Sequence, residues 1–132
     1  MAEMVNGSVL ITSRNDGERY PPFNASHRLF ARSDDGVETW AELWEATPAS
    51  LPGPRCQAAL LADPAKGLLY FGNPSGNVSK PGRSRTNYSV HVSRDGGRSW
   101  VPHAQVYAGV AAYSDMTMTA AGELVCVFEK DG

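Results

Sequence analysis

Cysteine is scarce in this chain: Cys56 and Cys126 are the two thiols among 132 residues. Two cysteines cannot build a disulfide framework, and these two lack metal-ligand spacing. Both stand among apolar neighbours and read as small buried residues. No apolar run approaches the ~20 residues that span a bilayer. The opening residues Met1-Ala2-Glu3-Met4-Val5-Asn6 lack the basic and then apolar pattern of a signal segment. A net charge of −2 gives no electrostatic reason to expect nucleic acid or an anionic membrane as partner. Helical periodicity is missing too: no segment keeps apolar residues at i, i+3, i+4 and i+7 for three turns. The nearest approach, 38–46, follows Trp40 and is cut short by Pro48.

Short or alternating apolar runs are plentiful. They fall at 8–13, 28–32, 57–61, 68–71, 88–92, 105–107, 116–119 and 124–128. Turn chemistry separates them, with Asn6-Gly7, Asp16-Gly17, Asp35-Gly36, Lys66-Gly67, Gly96-Gly97 and Gly122. The chain is therefore read as all-β. Two stretches, 47–54 and 73–84, are loops by their proline and glycine content, and a dozen irregular residues between strands points to a functional rim. Asn24, Asn77 and Asn87 open Asn-x-Ser sequons, more than the roughly one expected by chance. They are candidate glycosylation sites and favour the secretory route.

An octapeptide occurs twice. Ser33-Asp34-Asp35-Gly36-Val37-Glu38-Thr39-Trp40 returns 60 residues later as Ser93-Arg94-Asp95-Gly96-Gly97-Arg98-Ser99-Trp100. Asp-Gly and Gly-Gly supply the positive φ of a tight hairpin, the Ser and Asp side chains can bind the turn's own amides, and the Trp is expected to plug the hairpin onto the sheet. The second copy is the better one, because Gly97 stands where the first has Val37. Repeats of this spacing without helices predict β-propeller blades. The octapeptide resembles the Asp-box of the sialidase (neuraminidase) family, in which Ser33, Asp35, Trp40, Ser93, Asp95, Gly97 and Trp100 are structural; Asp35 and Asp95 read as turn formers, not catalysts. A four-stranded blade takes about 40–60 residues, so two to three blades fit, whereas propellers have at least four. The remaining blades are expected elsewhere.

Three further segments carry chemistry. Strand 8–13 ends in Arg14, which is either partly buried and in need of an anionic partner or an edge arginine reaching solvent. Arg85 stands at the mouth of the strand that follows Phe71-Gly72-Asn73-Pro74, with Arg83 in the looser loop. Tyr113 follows the small residues Gly109, Ala111 and Ala112, which leave room for a ligand. Glu129 closes an apolar strand, where a carboxylate normally wants a cation.

Taken in order, first octapeptide, Phe-Gly-Asn-Pro, Arg-x-Asn, second octapeptide, Ala-Tyr-Ser-Asp and Phe-Glu resemble the C-terminal half of animal and bacterial exo-α-sialidases. Glu3–Asn15 and the Phe-Gly-Asn-Pro…Arg-Thr-Asn-Tyr-Ser stretch are most similar to the lysosomal-type animal enzyme. The resemblance covers nearly the whole chain, Glu3 to Glu129. It implies a partial six-bladed propeller over residues 1–132, with Arg14 and Arg85 as the second and third arginines that grip the sialic-acid carboxylate. It also implies Tyr113 as nucleophile, Glu129 as the glutamate supporting the first arginine, and Glu3 as a non-catalytic glutamate beside the site. The residue types suit the task. Guanidinium groups give bidentate, charge-assisted recognition of a carboxylate. A carboxylate nucleophile would be repelled by that same group, so a neutral tyrosine replaces it. A phenol titrates near pH 10 and needs a glutamate base.

The family's first arginine, acid aspartate and base glutamate match nothing in this chain, so it is expected to be inactive alone and to need its N-terminal blades. The resemblance implies no cofactor and no metal. Its partners would be sialylated glycans, glycoproteins or gangliosides, with no nucleic acid and no transmembrane segment. A lysosomal location follows, with cytoplasmic or peripheral membrane association left open. The competing readings are a non-catalytic Asp-box module that binds glycan or protein and an unrelated β-sandwich. The enzymatic reading requires Arg14, Arg85 and Tyr113 to open onto one cavity at the propeller axis.

Overall fold

The computed structural model describes residues 1–15, 27–47, 49–76 and 84–131, and every described element is a strand. In chain order these are β1 (Ala2–Glu3), β2 (Val9–Ser13), β3 (Arg28–Ser33), β4 (Glu42–Ala46), β5 (Ala59–Asp63), β6 (Leu68–Pro74), β7 (Thr86–Ser93), β8 (Val101–Met118) and β9 (Leu124–Lys130). Residues β1 to β4 form one antiparallel meander and β5 to β9 a second, each in sequence order. No described helix is long and apolar enough to cross a membrane.

β8 changes partner half-way. Thr86 and Val92 of β7 face Val110 and Val101, so the first half closes onto β7. From Ala111 onward β8 pairs β9 instead. The second sheet thus curls, and the whole is all-β in a manner consistent with a partial β-propeller. Burial follows the period of two. β6 is buried along its full length: Leu69 and Phe71 pack with Leu10, Phe30, Ala46, Leu51 and Trp100 toward the first sheet. Leu68 and Tyr70 face the other way, joining Ala59, Val90, Val92 and Met116. A strand buried on both faces reads as an unbroken apolar run, as 68–71 does. Each fully buried Phe or Leu contributes about 1.5–3 kcal/mol.

The stretch 38–46, which the sequence assigns to neither helix nor strand, contains a strand, because Glu42–Ala46 finds β3 as a ladder partner. Three sequence expectations are corrected. The two short runs at 105–107 and 116–119 are parts of one 18-residue strand. Trp40 does not plug its hairpin; it is 43% exposed, whereas Trp100 is 4% exposed. The loop expected at 73–84 begins later, since β6 continues to Pro74, and its positions 77–83 lie outside the described residues.

Candidate functional site

Alternating strand direction sorts the molecule into two ends. The hairpin turns β3–β4 and β7–β8, which hold the octapeptides, lie at one. At the other lie the end of β2, the starts of β3, β5 and β7, the ends of β6 and β9, and the point where β8 changes partner. Arg14, Arg85, Tyr113 and Glu129 all belong to this second end.

Tyr113 sits in a bulge. Between the pairs Ala111↔Lys130 and Ser114↔Phe128, β8 advances three residues against two on β9. Bulges of this kind re-aim a side chain. The Tyr113 ring is 44% exposed, and the Arg85 guanidinium lies 5.3 Å from its centroid, inside the range of a cation–π contact. The Tyr113 backbone N–H donates to Glu129 Oε2 at 3.2 Å. Glu129 is carried by a firmly seated strand end, because Phe128 stacks on buried Tyr88 at 4.6 Å. The Gln57 side chain takes hold of the next residue: Ser114 N–H donates to Oε1 at 2.9 Å and Nε2 donates to Ser114 O at 3.0 Å. Ser114 Oγ also donates to Gly72 O at 3.4 Å. Gly72 cannot carry a side chain, since a Cβ there would stand 2.3 Å from the Tyr88 hydroxyl. Together Gln57, Tyr113, Ser114, Asp115 and 127–129 line an open depression of about 370 Å³, within the range of small-ligand sites at about 300–1,000 Å³.

Arg14 lies apart from this depression. It is exposed and lines a narrow recess with Arg28, Arg55, His27 and Asn73. That recess holds about 10 Å³, at the limit for one water at about 10–15 Å³ and far below a sugar. Arg28 is the buried cation here. Its Nε donates to Thr12 Oγ1 at 2.8 Å and its Nη1 to Cys56 O at 2.7 Å. Burial pulls its guanidinium down to about 10; the Cys56 thiol opposes this and Arg14 adds to it. Arg28 therefore stays charged at neutral pH. Arg85 Nη2 donates to Arg55 O at 3.4 Å, joining the two regions through the segment 55–57.

The structure thus brings together Arg85, Tyr113 and Glu129, and places Arg14 at the same end in a neighbouring recess. Among the described residues no cation pairs with Glu129, and no carboxylate reaches the Tyr113 hydroxyl. Glu3, in β1, is exposed at the opposite end of the first sheet. The octapeptide residues form their turns: Ser33 Oγ and Ser93 Oγ each donate to their aspartate at 2.8 Å, and Asp35 and Asp95 each accept at 2.9 Å from the N–H four residues on. Asn87 donates through Nδ2 to Gly76 O at 3.2 Å; Asn24 and Asn77 lie outside the described residues. Cys56 is buried and Cys126 half-buried, both free; burial pushes the Cys56 thiol up, against Arg85 and Arg28. No cluster of three metal-binding side chains occurs among the described residues. Sequence reasoning missed Gln57 and Arg28. A glutamine opening an apolar strand was the available signal for the first, and an arginine opening one for the second.

The chain is similar to curated sialidases. It is 30% identical over 139 aligned residues to the sialidase of Vibrio cholerae serotype O1, in both the Classical Ogawa 395 and El Tor Inaba N16961 strains, covering 99% of this chain. It is 30% identical over 112 residues to the sialidase of Bacteroides fragilis, covering 80% of this chain. The chain spans 18% of the length of each of these relatives. No protein-family model matches it. The likeness supports a relationship to the sialidase family.

Proposed function

We propose that this segment is the C-terminal part of a six-bladed exo-α-sialidase propeller and contributes the nucleophile and two carboxylate-binding arginines of a retaining glycosidase. In this reading the two β-meanders are blades, β8–β9 opens a third, and the octapeptide turns are Asp-boxes on the rim away from the site. The observation that carries it is the guanidinium of Arg85 over the ring of Tyr113, with Glu129 on the tyrosine's own amide. Sialic acid bears a carboxylate on its anomeric carbon. Arg85, with Arg14 from the neighbouring recess, would take that carboxylate and thereby bring the carbon to the phenol. Attack by the phenol oxygen would form the glycosyl-tyrosine bond and release the aglycone; water would then break it with retention.

The phenol needs a base, and no described carboxylate reaches it. Further blades would supply that base, the acid and the first arginine, so this segment alone should bind without turning over. The substrates are sialylated glycoproteins, oligosaccharides or gangliosides. The relatives are bacterial, and the lysosomal reading rests on motif likeness and sequons; secretion-route glycosylation of the expressed protein tests it.

The decisive experiment replaces Tyr113 by Phe in the full-length polypeptide and follows release of a fluorogenic sialoside. Turnover should fall by at least about 10³-fold with binding retained. Undiminished turnover would remove the nucleophile assignment, and a full-length wild-type polypeptide that binds the sialoside without releasing its sugar would leave a glycan- or protein-binding module as the reading.

A further inference from the structure

We propose that Gln57 is a positioning residue that fixes the direction of Tyr113 by clamping the backbone of Ser114; this rests on the sialidase reading of the site. The bulge gives β8 an extra residue at 112–113, so the β9 ladder alone does not set where the tyrosine points. Two side chains do so. Glu129 accepts from the Tyr113 N–H, and Gln57 both accepts from and donates to the Ser114 backbone at 2.9 and 3.0 Å. A carboxamide is suited to this because it carries an acceptor and a donor in one plane. A glutamate has no donor and a lysine no acceptor. Gln57 is itself anchored, since Arg28 holds the carbonyl of Cys56 at 2.7 Å and Arg85 that of Arg55 at 3.4 Å. The segment 55–57 therefore ties the guanidinium beside the phenol to the backbone that aims the phenol.

The test uses the full-length polypeptide and a fluorogenic sialoside, with Tyr113→Phe in parallel. Gln57→Ala should lower kcat by about 10–100-fold, as a displacement of about 1 Å does, with KM within about two-fold. Gln57→Glu should be impaired at neutral pH, where its second oxygen faces the Ser114 carbonyl. Below about pH 4.3 the protonated carboxyl donates again, so the variant's kcat relative to wild type should rise as pH falls. Unchanged kcat in Gln57→Ala, or a flat Gln57→Glu ratio across pH, overturns the proposal. The ratio alone decides if Gln57→Ala does not fold. A silent Tyr113→Phe would instead remove the nucleophile assignment on which the proposal rests.

Discussion

The two octapeptide turns share a hydrogen-bond scheme and differ in nearly everything around it. In each, a serine hydroxyl takes the N–H four residues on, at 2.9 Å to Val37 and 2.8 Å to Gly97, while the aspartate ties the Thr39 or Ser99 hydroxyl. The second turn is pressed between the sheets. Trp100 stacks on Phe30 at 5.6 Å, and both Trp100 and Trp44 donate to the Gly97 carbonyl. The Arg98 guanidinium lies 4.1 Å from the Trp44 centroid and pairs with Glu42. The first turn is held by Ser8 on Asp34 at 2.6 Å, and Trp40 stays exposed. The local motif specifies the turn, and the neighbouring sheet determines whether its tryptophan becomes core.

The largest test of that contrast truncates both indoles. Trp100→Ala removes a ring packed against Phe30 and Phe71 and should destabilise the chain by about 3–5 kcal/mol. Trp40→Ala should stay within about 0.5 kcal/mol, as surface changes do. Denaturant unfolding of the two variants reads the difference; equal losses would break the comparison.

Exchanging one residue between the turns gives a smaller effect. Gly97 has φ +86°, and a Cβ there would stand 2.8 Å from buried Leu10. Val37 already adopts φ 76° in the first turn, a region that costs an L-residue about 1–2 kcal/mol. Gly97→Val should therefore lose about 2–4 kcal/mol, combining backbone strain with overpacking. Val37→Gly should change stability by no more than about 1 kcal/mol, relief of strain being offset by a looser unfolded chain. A tolerated Gly97→Val would show that Leu10 yields, and that the second turn is less confined than its contacts indicate.

What the sequence made legible follows the same division between local and long-range causes. Strands 9–13, 28–33 and 124–130, and the part of β6 at 68–71, carry their signal in their own alternation or apolar run. β4 hides its period because Leu43 faces solvent while Trp44 packs inward. β8 hides its length because its ladder passes from β7 to β9 at Val110–Ala111, a change that no local pattern records. Tyr113, Arg85 and Glu129 were legible through motif order. Their contact, and the hold of Gln57 on Ser114, join residues 16 to 57 positions apart.

The smallest effect comes from acid. Bonds from the Thr39 hydroxyl and N–H, and from Ser33, hold the Asp35 carboxyl down to about 2. At Asp95 burial pushes upward, but the Ser99 and Ser93 bonds outweigh it and the carboxyl still lies below its usual range. Both are depressed relative to an unfolded aspartate near 3.9. Their contribution is therefore complete above about pH 4 and is lost as pH falls toward 2. Asp35→Asn and Asp95→Asn should each flatten the stability curve between those limits and leave it nearly parallel to wild type above pH 5. Both carboxylates are exposed, but Asp95 belongs to the turn on which Trp100 and Trp44 pack, so Asp95→Asn should also lower stability more at neutral pH. Equal curves for the two variants would mean that the hydrogen-bond scheme alone, and not its setting between sheets, determines what each turn contributes.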